Sequence, residues 1–513
     1  MVKRPSAAHE VEVKFSTDAA GLKLAMASPL LGAAPGFRVE NLRSIYFDTA
    51  QGDLLGRGIV LRSRSNGGKG AVLAIKSAGH GPHGPFHRRE VEVQSPDLQP
   101  NLALFDPNTA TELFSIVGSK PLLPRFETRV KRSSVTIKRD ASEIEIAFDE
   151  GNILVEAAEL PLIEVELELK KGGEAALYEL ALAFARAHPL QLDFVSKSEK
   201  GFRARDKTTA APVFAEPVVL DGTATVGEAV RLVLANTLSH FVANWAALRE
   251  TDGPEAVHQM RVALRRMRAA LSMFRQAIAG ADSDGLGSDA KRMAAILAQA
   301  RECDAFKAKA AQGPLSSKDC PPDLGTFPSF LEAHRTASYV QARSLLADKA
   351  TTAFVLKLQG FFCSEASGNA HGGGAMLKQP MRKLASDCLR RLRARVLKRG
   401  RRLGHISDKA RHKLRIALKD YRYATEFLGG LFKRRGRIKT SLCNISKLQD
   451  LLGAHNDAVM ARKLLGELQA RFDAQGNVAA GFILGWYARD VPLADRDLLR
   501  QWRKFKRTPA FWG

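Results

Sequence analysis

The chain has 513 residues, 45% hydrophobic and 26% charged, enough for several domains each with a full core. Its five cysteines, Cys303, Cys320, Cys363, Cys388 and Cys443, are scattered without a C-x-x-C, which argues against a disulfide framework and a cysteine zinc site and fits a reducing cytoplasm. The formal net charge is +24, yet residues 1–205 hold 27 Lys and Arg against 26 Asp and Glu, so the polyanion-attracting field belongs to the rest of the chain.

The N-terminus lacks the apolar stretch of a signal peptide, and no apolar run approaches the roughly 20 residues of a membrane span, so no membrane insertion is expected. From Val11 to about Leu169 the chain reads as strands with alternating faces. Glu10, Glu12 and Lys14 share one face of the first strand, with Val11, Val13 and Phe15 on the other. The same parity puts Arg62 with Arg64, ends AVLAIK on Lys76, and groups Arg88 with Glu90 and Glu92. Arg129 and Lys131 follow in ETRVKR, whose register also allows Arg132 in their place, then Glu143, Glu145 and Asp149, then Glu164, Glu166, Glu168 and Lys170. An antiparallel sheet with one solvated face explains the alternation. The alternative is a barrel with its charged faces inward, a tunnel whose carboxylates bind divalent cations and whose Arg and Lys neutralise phosphate.

The motifs favour the barrel. HEVEVKF, YFDT, LRSR, AIK, RREVE, EIEIAFDEG, EVELELK and SKSEKGF occur in one order over residues 9–205. Together they resemble the CYTH domain, the triphosphate tunnel metalloenzyme family. That resemblance implies an α+β domain built on an eight-stranded antiparallel barrel. It also implies hydrolysis of inorganic triphosphate or thiamine triphosphate, or cyclisation of ATP, with Mg²⁺ or Mn²⁺. Carried over, Glu10, Glu12 and Lys14 become the catalytic set, and Glu10, Glu12, Glu164 and Glu166 the metal ligands. Arg62, Arg64, Lys76, Arg88, Arg129, Lys131 and Lys197 become phosphate ligands, with Glu90, Glu92, Glu145, Asp149 and Glu168 as further acids.

Residues 206–221, with Pro212, Pro217 and little periodicity, read as a linker between a domain at 1–205 and a helical domain at 222–510. The helical part contains a duplication at an offset of 154 residues: VHQMRVALRRMRAALSMF from Val257 and RHKLRIALKDYRYATEFL from Arg411. His258, Arg261, Arg265 and Arg268 in the first copy meet His412, Arg415, Lys419 and Arg422 in the second. At 100° per residue these positions form one cationic stripe opposite Met260, Leu264, Met267 and Leu271. A solvated Arg face is the simpler explanation of either stripe, and their recurrence is the argument for a site.

The repeated H-x-x-R-x-x-x-R/K-x-x-R helix resembles the conserved-histidine helical domain, CHAD. This implies two pseudo-two-fold related four-helix bundles and binding of inorganic polyphosphate by the eight stripe residues. Association with polyphosphate granules in the cytoplasm follows from the same resemblance. Two positions depart from the pattern: RECD at 301–304, and Asp420 where the first copy has Arg266. No aromatic lies in either stripe, so no specific nucleic acid is expected. The leading expectation is therefore a metal-dependent inorganic triphosphatase joined to a polyphosphate-binding module, whose oligomeric state the residues do not indicate. The alternatives are a non-catalytic polyphosphate-binding protein and a nucleotide cyclase or thiamine triphosphatase.

Overall fold

The computed structural model describes residues 8–32, 36–68, 70–77, 84–278, 283–366, 374–405 and 407–512. The chain divides into two compact units, one drawn from residues 1–213, 242–251 and 346–367, the other from 214–241, 252–345 and 368–513.

The first unit is built on β1 (Ala8–Ser16), β2 (Arg38–Asp48), β3 (Ile59–Ser65), β4 (Ala71–Ser77) and β5 (His87–Ser95). It continues with β6 (Leu123–Arg139), β7 (Ser142–Val155), β8 (Ala158–Lys171) and the two-residue β9 (Gln191–Leu192). Neighbours run β5-β4-β3-β2-β6-β7-β8-β1, all antiparallel. β1 pairs with β5 through Ala8–Val11 and with β8 through Glu12–Ser16, so the eight strands return on themselves. β9 joins the far end of β1. Helices α1 (Ala19–Met26), α2 (Pro107–Val117), α3 (Glu174–Ala187) and α4 (Lys197–Asp206) lie among these strands in the chain.

Alternation then decides where the core sits. Val13, Phe15, Leu61, Leu73, Val165 and Leu167 are fully buried on one face, while the charged residues between them take the other. Phe47, Leu61, Leu73 and Val91 form one cluster with Leu102, Phe105 and Leu113 from the segment containing α2. This hydrophobic core therefore lies outside the barrel, between strands and helices, and the ionised face turns inward. The inner face shares its parity with a smaller cluster of Tyr46, Val60, Phe126, Val130, Ile153 and Leu162 packed with Phe202 of α4. A solvated-face sheet would have the opposite arrangement.

The remaining helices are α5 (Val226–Ala243), α6 (Trp245–Glu250), α7 (Pro254–Met273), α8 (Ser283–Gln312), α9 (Phe327–Ala347) and α10 (Lys349–Ala366). After them come α11 (Gly374–Leu377), α12 (Met381–Arg399), α13 (Asp408–Leu428), α14 (Arg435–Leu468) and α15 (Ala474–Arg507). Shifting α5, α7, α8 and α9 by the 154-residue offset places them on α12, α13, α14 and the interior of α15. The second unit is thus two helical quartets of the same pattern. α7 contacts α13 and α8 contacts α14, and Phe306, Phe327, Leu331, Leu465, Phe472 and Ile483 share one core. Among the described residues no helix is long and apolar enough to cross a membrane.

Candidate functional site

The barrel encloses a cavity of about 250 Å³ lined by 18 residues, 14 of them ionisable. Glu10, Glu12, Glu90, Glu92, Glu145, Glu166 and Glu168 supply seven carboxylates; Lys14, Arg62, Arg64, Lys76, Arg132, Lys170 and Lys197 supply seven cations. Tyr46, Val60, Ser196 and Ser198 complete the wall. Strand register explains the grouping. Lys14 pairs across to Glu166, Glu12 to Glu168, and Glu168 to Glu145, so alternate residues of β1, β8 and β7 meet on the inner face.

The acidic end is organised by Lys197. Ser196 caps α4, its Oγ accepting from Glu199 N at 3.1 Å, which places Lys197 in the first helical turn. Gly201 lets this helix approach β6, because a Cβ there would fall 2.1 Å from the Phe126 ring. Lys197 Nζ then lies 2.9, 2.8 and 2.7 Å from Asp149, Glu164 and Glu166. Arg132 donates to both oxygens of Asp149 and, at 2.5 Å, to Glu166. Burial alone would raise these carboxyls, but Lys197 and Arg132 hold Glu166 well below its ordinary value and also lower Asp149. Glu164 is lowered too, burial being outweighed by Lys197, Lys14 and Lys200.

At the other end Glu90 joins two cations, meeting Arg62 at 3.0 Å and Lys76 at 2.8 Å, while Lys76 also reaches Glu10 at 2.9 Å. Arg64 differs. Its Nε meets Ser44 Oγ at 3.3 Å, and it has no carboxylate partner among the described residues. Burial, with Arg62 and Arg132 nearby, brings its guanidinium down to about 10. A half-buried cation without an ion-pair partner is a place for an anion.

The sequence-derived set divides when mapped onto this cavity. Glu10, Glu12, Lys14, Arg62, Arg64, Lys76, Glu166 and Lys197 line it together. Arg129 and Lys131 are exposed on the other face of β6, Arg129 paired with Glu127, and Arg132 takes the inward position instead. The reason is register: Arg132 lies opposite Asp149 on β7, and two residues per pleat turns Lys131 outward. The alternation of Phe126, Thr128, Val130 and Arg132 is the signal that finds it. Glu164 is fully buried behind the wall, tied to Lys197 and Lys200. Arg88 sits on β5 opposite Glu10, but its side chain lies outside the described residues. Lys170, placed by parity with Glu166 and Glu168 but given no role, joins the lining, as do Tyr46, Ser196 and Ser198.

Among the described residues one group of carboxylates converges closely enough to share a cation. Asp149, Glu164 and Glu166 converge within 4.8 Å, yet Lys197 and Arg132 already neutralise them. Glu168 reports a different balance. Burial, then Glu10 and Glu12, push its carboxyl up to about 7 despite Lys170 at 2.6 Å. Carboxylates crowded beyond their compensating cations are hard oxygen donors suited to a divalent metal. Glu10, Glu12 and Glu168 line the same cavity as Glu166, so the wall offers further oxygen donors of this kind.

In the second unit the two stripes converge where α7 meets α13. A cavity of about 730 Å³ there is lined by Arg265, Arg268, Arg391, Arg395 and Lys419 among others. Arg265 Nε meets Tyr423 Oη at 3.4 Å, and Arg261 donates to Ala298 O at 3.0 Å. Burial, then Arg265, Arg415 and Arg261, lower the Lys419 amine to about 7. Arg261 is lowered to about 10 by burial and Arg265. His258 is pushed down to about 4 by burial and Arg301, so it is neutral near pH 7, whereas His412 is exposed. Arg422 is drawn aside to Glu426 at 2.7 Å. The equivalence of the two stripes in sequence is thus not an equivalence in environment. Arg266 is buried, donating to Asn236 at 2.8 Å and lying 5.2 Å from the Phe427 ring centre, while Asp420 of the second copy lines the cavity near Arg395.

Comparison with known proteins follows the same division. Residues 8–202 match the CYTH domain model and residues 232–466 the CHAD domain model. A stretch of 109 residues is 29% identical to a protein of Haemophilus influenzae named inorganic triphosphatase. That match covers 20% of this chain and 31% of the relative, so it spans about a third of the relative's length. The crystal structure of the CHAD domain from the plant Ricinus communis is 27% identical, with a TM-score of 0.52. It covers 58% of this chain and 98% of that one, and supports the helical fold. A Pyrococcus horikoshii protein of known structure is 18% identical over 38% of this chain and 99% of its own, with a TM-score of 0.27.

Proposed function

This chain carries a CYTH domain followed by a CHAD domain, and on that premise we propose that its barrel hydrolyses inorganic triphosphate with a divalent cation while its helical unit binds inorganic polyphosphate. The observation that carries the first half is the cavity itself, where seven carboxylates and seven cations share one wall. Tyr46 is the single aromatic of that wall, stacked on Phe126 at 4.4 Å, so little remains on which a nucleobase or a thiazole could pack. A wholly inorganic chain suits such a lining better than thiamine triphosphate or ATP.

Arg62, Arg64, Lys76, Arg132 and Lys14 hold the triphosphate extended and neutralise its oxygens. Glu10 and Glu12, with Glu166 and Glu168, would hold Mg²⁺ or Mn²⁺, which when bound supplies charge stabilisation at the phosphoryl oxygens. Water attacks the terminal phosphorus in line, a new P–O bond forms, and the bridging P–O bond breaks to release pyrophosphate and phosphate. The proton of the water passes to a carboxylate of the wall. Positioning and electrostatics suffice, and no covalent nucleophile is needed.

The support for polyphosphate is the convergence of Arg265, Arg268 and Lys419 on one large basic cavity whose one aromatic, Tyr423, is buried and offers little stacking surface. Phosphate release from triphosphate, thiamine triphosphate and ATP, each with Mg²⁺ or Mn²⁺, tests the enzyme. Triphosphate should be turned over fastest, and Glu10→Gln and Arg64→Ala should each lose on the order of 10²–10³-fold. Metal-independent release would remove the divalent cation from the reading, and no release from any of the three would sink the hydrolase itself.

A further inference from the structure

Two short pieces of the helical half belong to the barrel's own compact unit, residues 242–251 and 346–367. Both fall inside the stretch that matches the CHAD model. They carry α6 and α10, of which α10 packs on α3 and β9 and α6 meets the segment that follows β9.

α10 lies along α3 and reaches β9. Its Gln359 approaches the backbone just before β5, where Gly84 has φ +115° and any Cβ would fall 2.7 Å from Gln359 Oε1. Cys363 Sγ meets Glu174 Oε2 at 3.1 Å, the oxygen that also meets His87 Nε2 at 3.1 Å. Phe354, Val355 and Leu358 of the same helix are fully buried.

α6 takes hold of the segment after β9. Trp245 packs edge-on against Phe194, ring centres 5.3 Å apart, and Arg249 lies 3.8 Å from Asp193. Asn244 both accepts from Val213 N at 2.9 Å and donates to Val213 O at 2.8 Å. Glu250 accepts from Ala210 N at 2.9 Å and from Arg203, on α4, at 3.1 Å. The segment so gripped feeds the cavity directly. Val195 O accepts from Lys14 Nζ, and Ser196 caps the helix that begins with Lys197. Asp193 is joined through Lys200 to Glu164, and Glu164 to Lys197.

We propose that α6 and α10, although drawn from the helical half of the sequence, are positioning elements of the barrel, with Trp245 and Arg249 fixing Asp193–Lys197 so that Lys14 and Lys197 face the cavity. The kinetic arm of this inference rests on the triphosphatase reading; the structural arm does not. In the full chain, hydrogen–deuterium exchange without substrate should quicken about tenfold over residues 193–200 in Trp245→Ala and Arg249→Gln, leaving β3 and β4 unchanged. KM for triphosphate should rise about tenfold with a smaller loss in kcat, because the cations that hold the substrate shift while the rest of the wall stays. Trp245→Phe and Arg249→Lys should restore both readouts.

Unchanged exchange over 193–200 in both variants would overturn the proposal, as would an equal rise across the whole barrel. If Trp245→Ala does not fold, Arg249→Gln, whose side chain is already 38% exposed, carries the test. A wild-type chain without turnover would defeat the triphosphatase reading and leave the exchange result to decide this one.

Discussion

Lys197 stands within 3 Å of three carboxylates, two of them fully buried, and it is the clearest case of one residue setting the state of a site. Three carboxylates this close would otherwise hold protons, since desolvation and mutual repulsion both favour the neutral form. The ammonium reverses that, and its own pKa is raised well above the ordinary lysine value by Asp149, Glu164 and Glu166 against the cost of burial. Removing it leaves buried charge with Arg132, Lys200 and Lys14 to compensate. Lys197→Met is expected to destabilise the first unit by about 3–5 kcal/mol in chemical denaturation near pH 7. The same variant should gain stability on adding Mg²⁺ more than the wild type does, because Asp149, Glu164 and Glu166 then offer a free oxygen cluster. Equal Mg²⁺ effects in both chains would count against that cluster as a latent cation site.

At the scale of elements, the strands were largely legible and their edges were not. β1 and β8 alternate acid or base with Val, Leu or Phe, so their inward residues could be named from parity alone. β6 carries charge on both faces, Glu127, Arg129 and Lys131 outside and Arg132 inside, which is why its register needed the partner strand. The duplicated helices show the opposite limit: α7 and α13 were found by repetition, but repetition could not foretell that Arg422 would turn to Glu426. Lys419 gives their pairing a measurable consequence. With its amine lowered from 10.5 to about 7, the folded chain binds fewer protons than the unfolded one between those values, so stability rises with pH across that window. A polyanion in the basic cavity would restore the charged form. Calorimetry near pH 8 in buffers of different ionisation enthalpy should show uptake of up to about one proton on polyphosphate binding, and Lys419→Met should remove most of it. Undiminished uptake in the variant would place the proton elsewhere.

For the whole molecule, charge and packing draw different boundaries. Net charge changes near residue 205, from +1 before it to +23 after, and that contrast is visible in composition. Packing instead assigns α6 and α10 to the barrel's unit, because Ala- and Leu-rich helices carry the same apolar face whichever partner they bury it against. The charge contrast nevertheless predicts how the two binding events respond to salt. Inside the barrel, cations and carboxylates pair at 2.6–3.2 Å and are sheltered from solvent, so screening should change the KM for triphosphate by only about two- to threefold between 50 and 200 mM salt. Along the helical unit the cations are partly exposed and in excess, and a long polyanion would displace its counterions on binding. Its affinity should fall linearly in the logarithm of salt concentration, by roughly 10³-fold or more over that range if about six cations engage. Arg265→Ala and Lys419→Ala, both in the cavity wall, should each lower that slope by about one, whereas Arg437→Ala, on α14 and hydrogen-bonded to Ala510 O at 3.4 Å, should leave it nearly unchanged. Equal loss at all three would mean that the basic unit binds through diffuse charge rather than through the cavity where α7 meets α13.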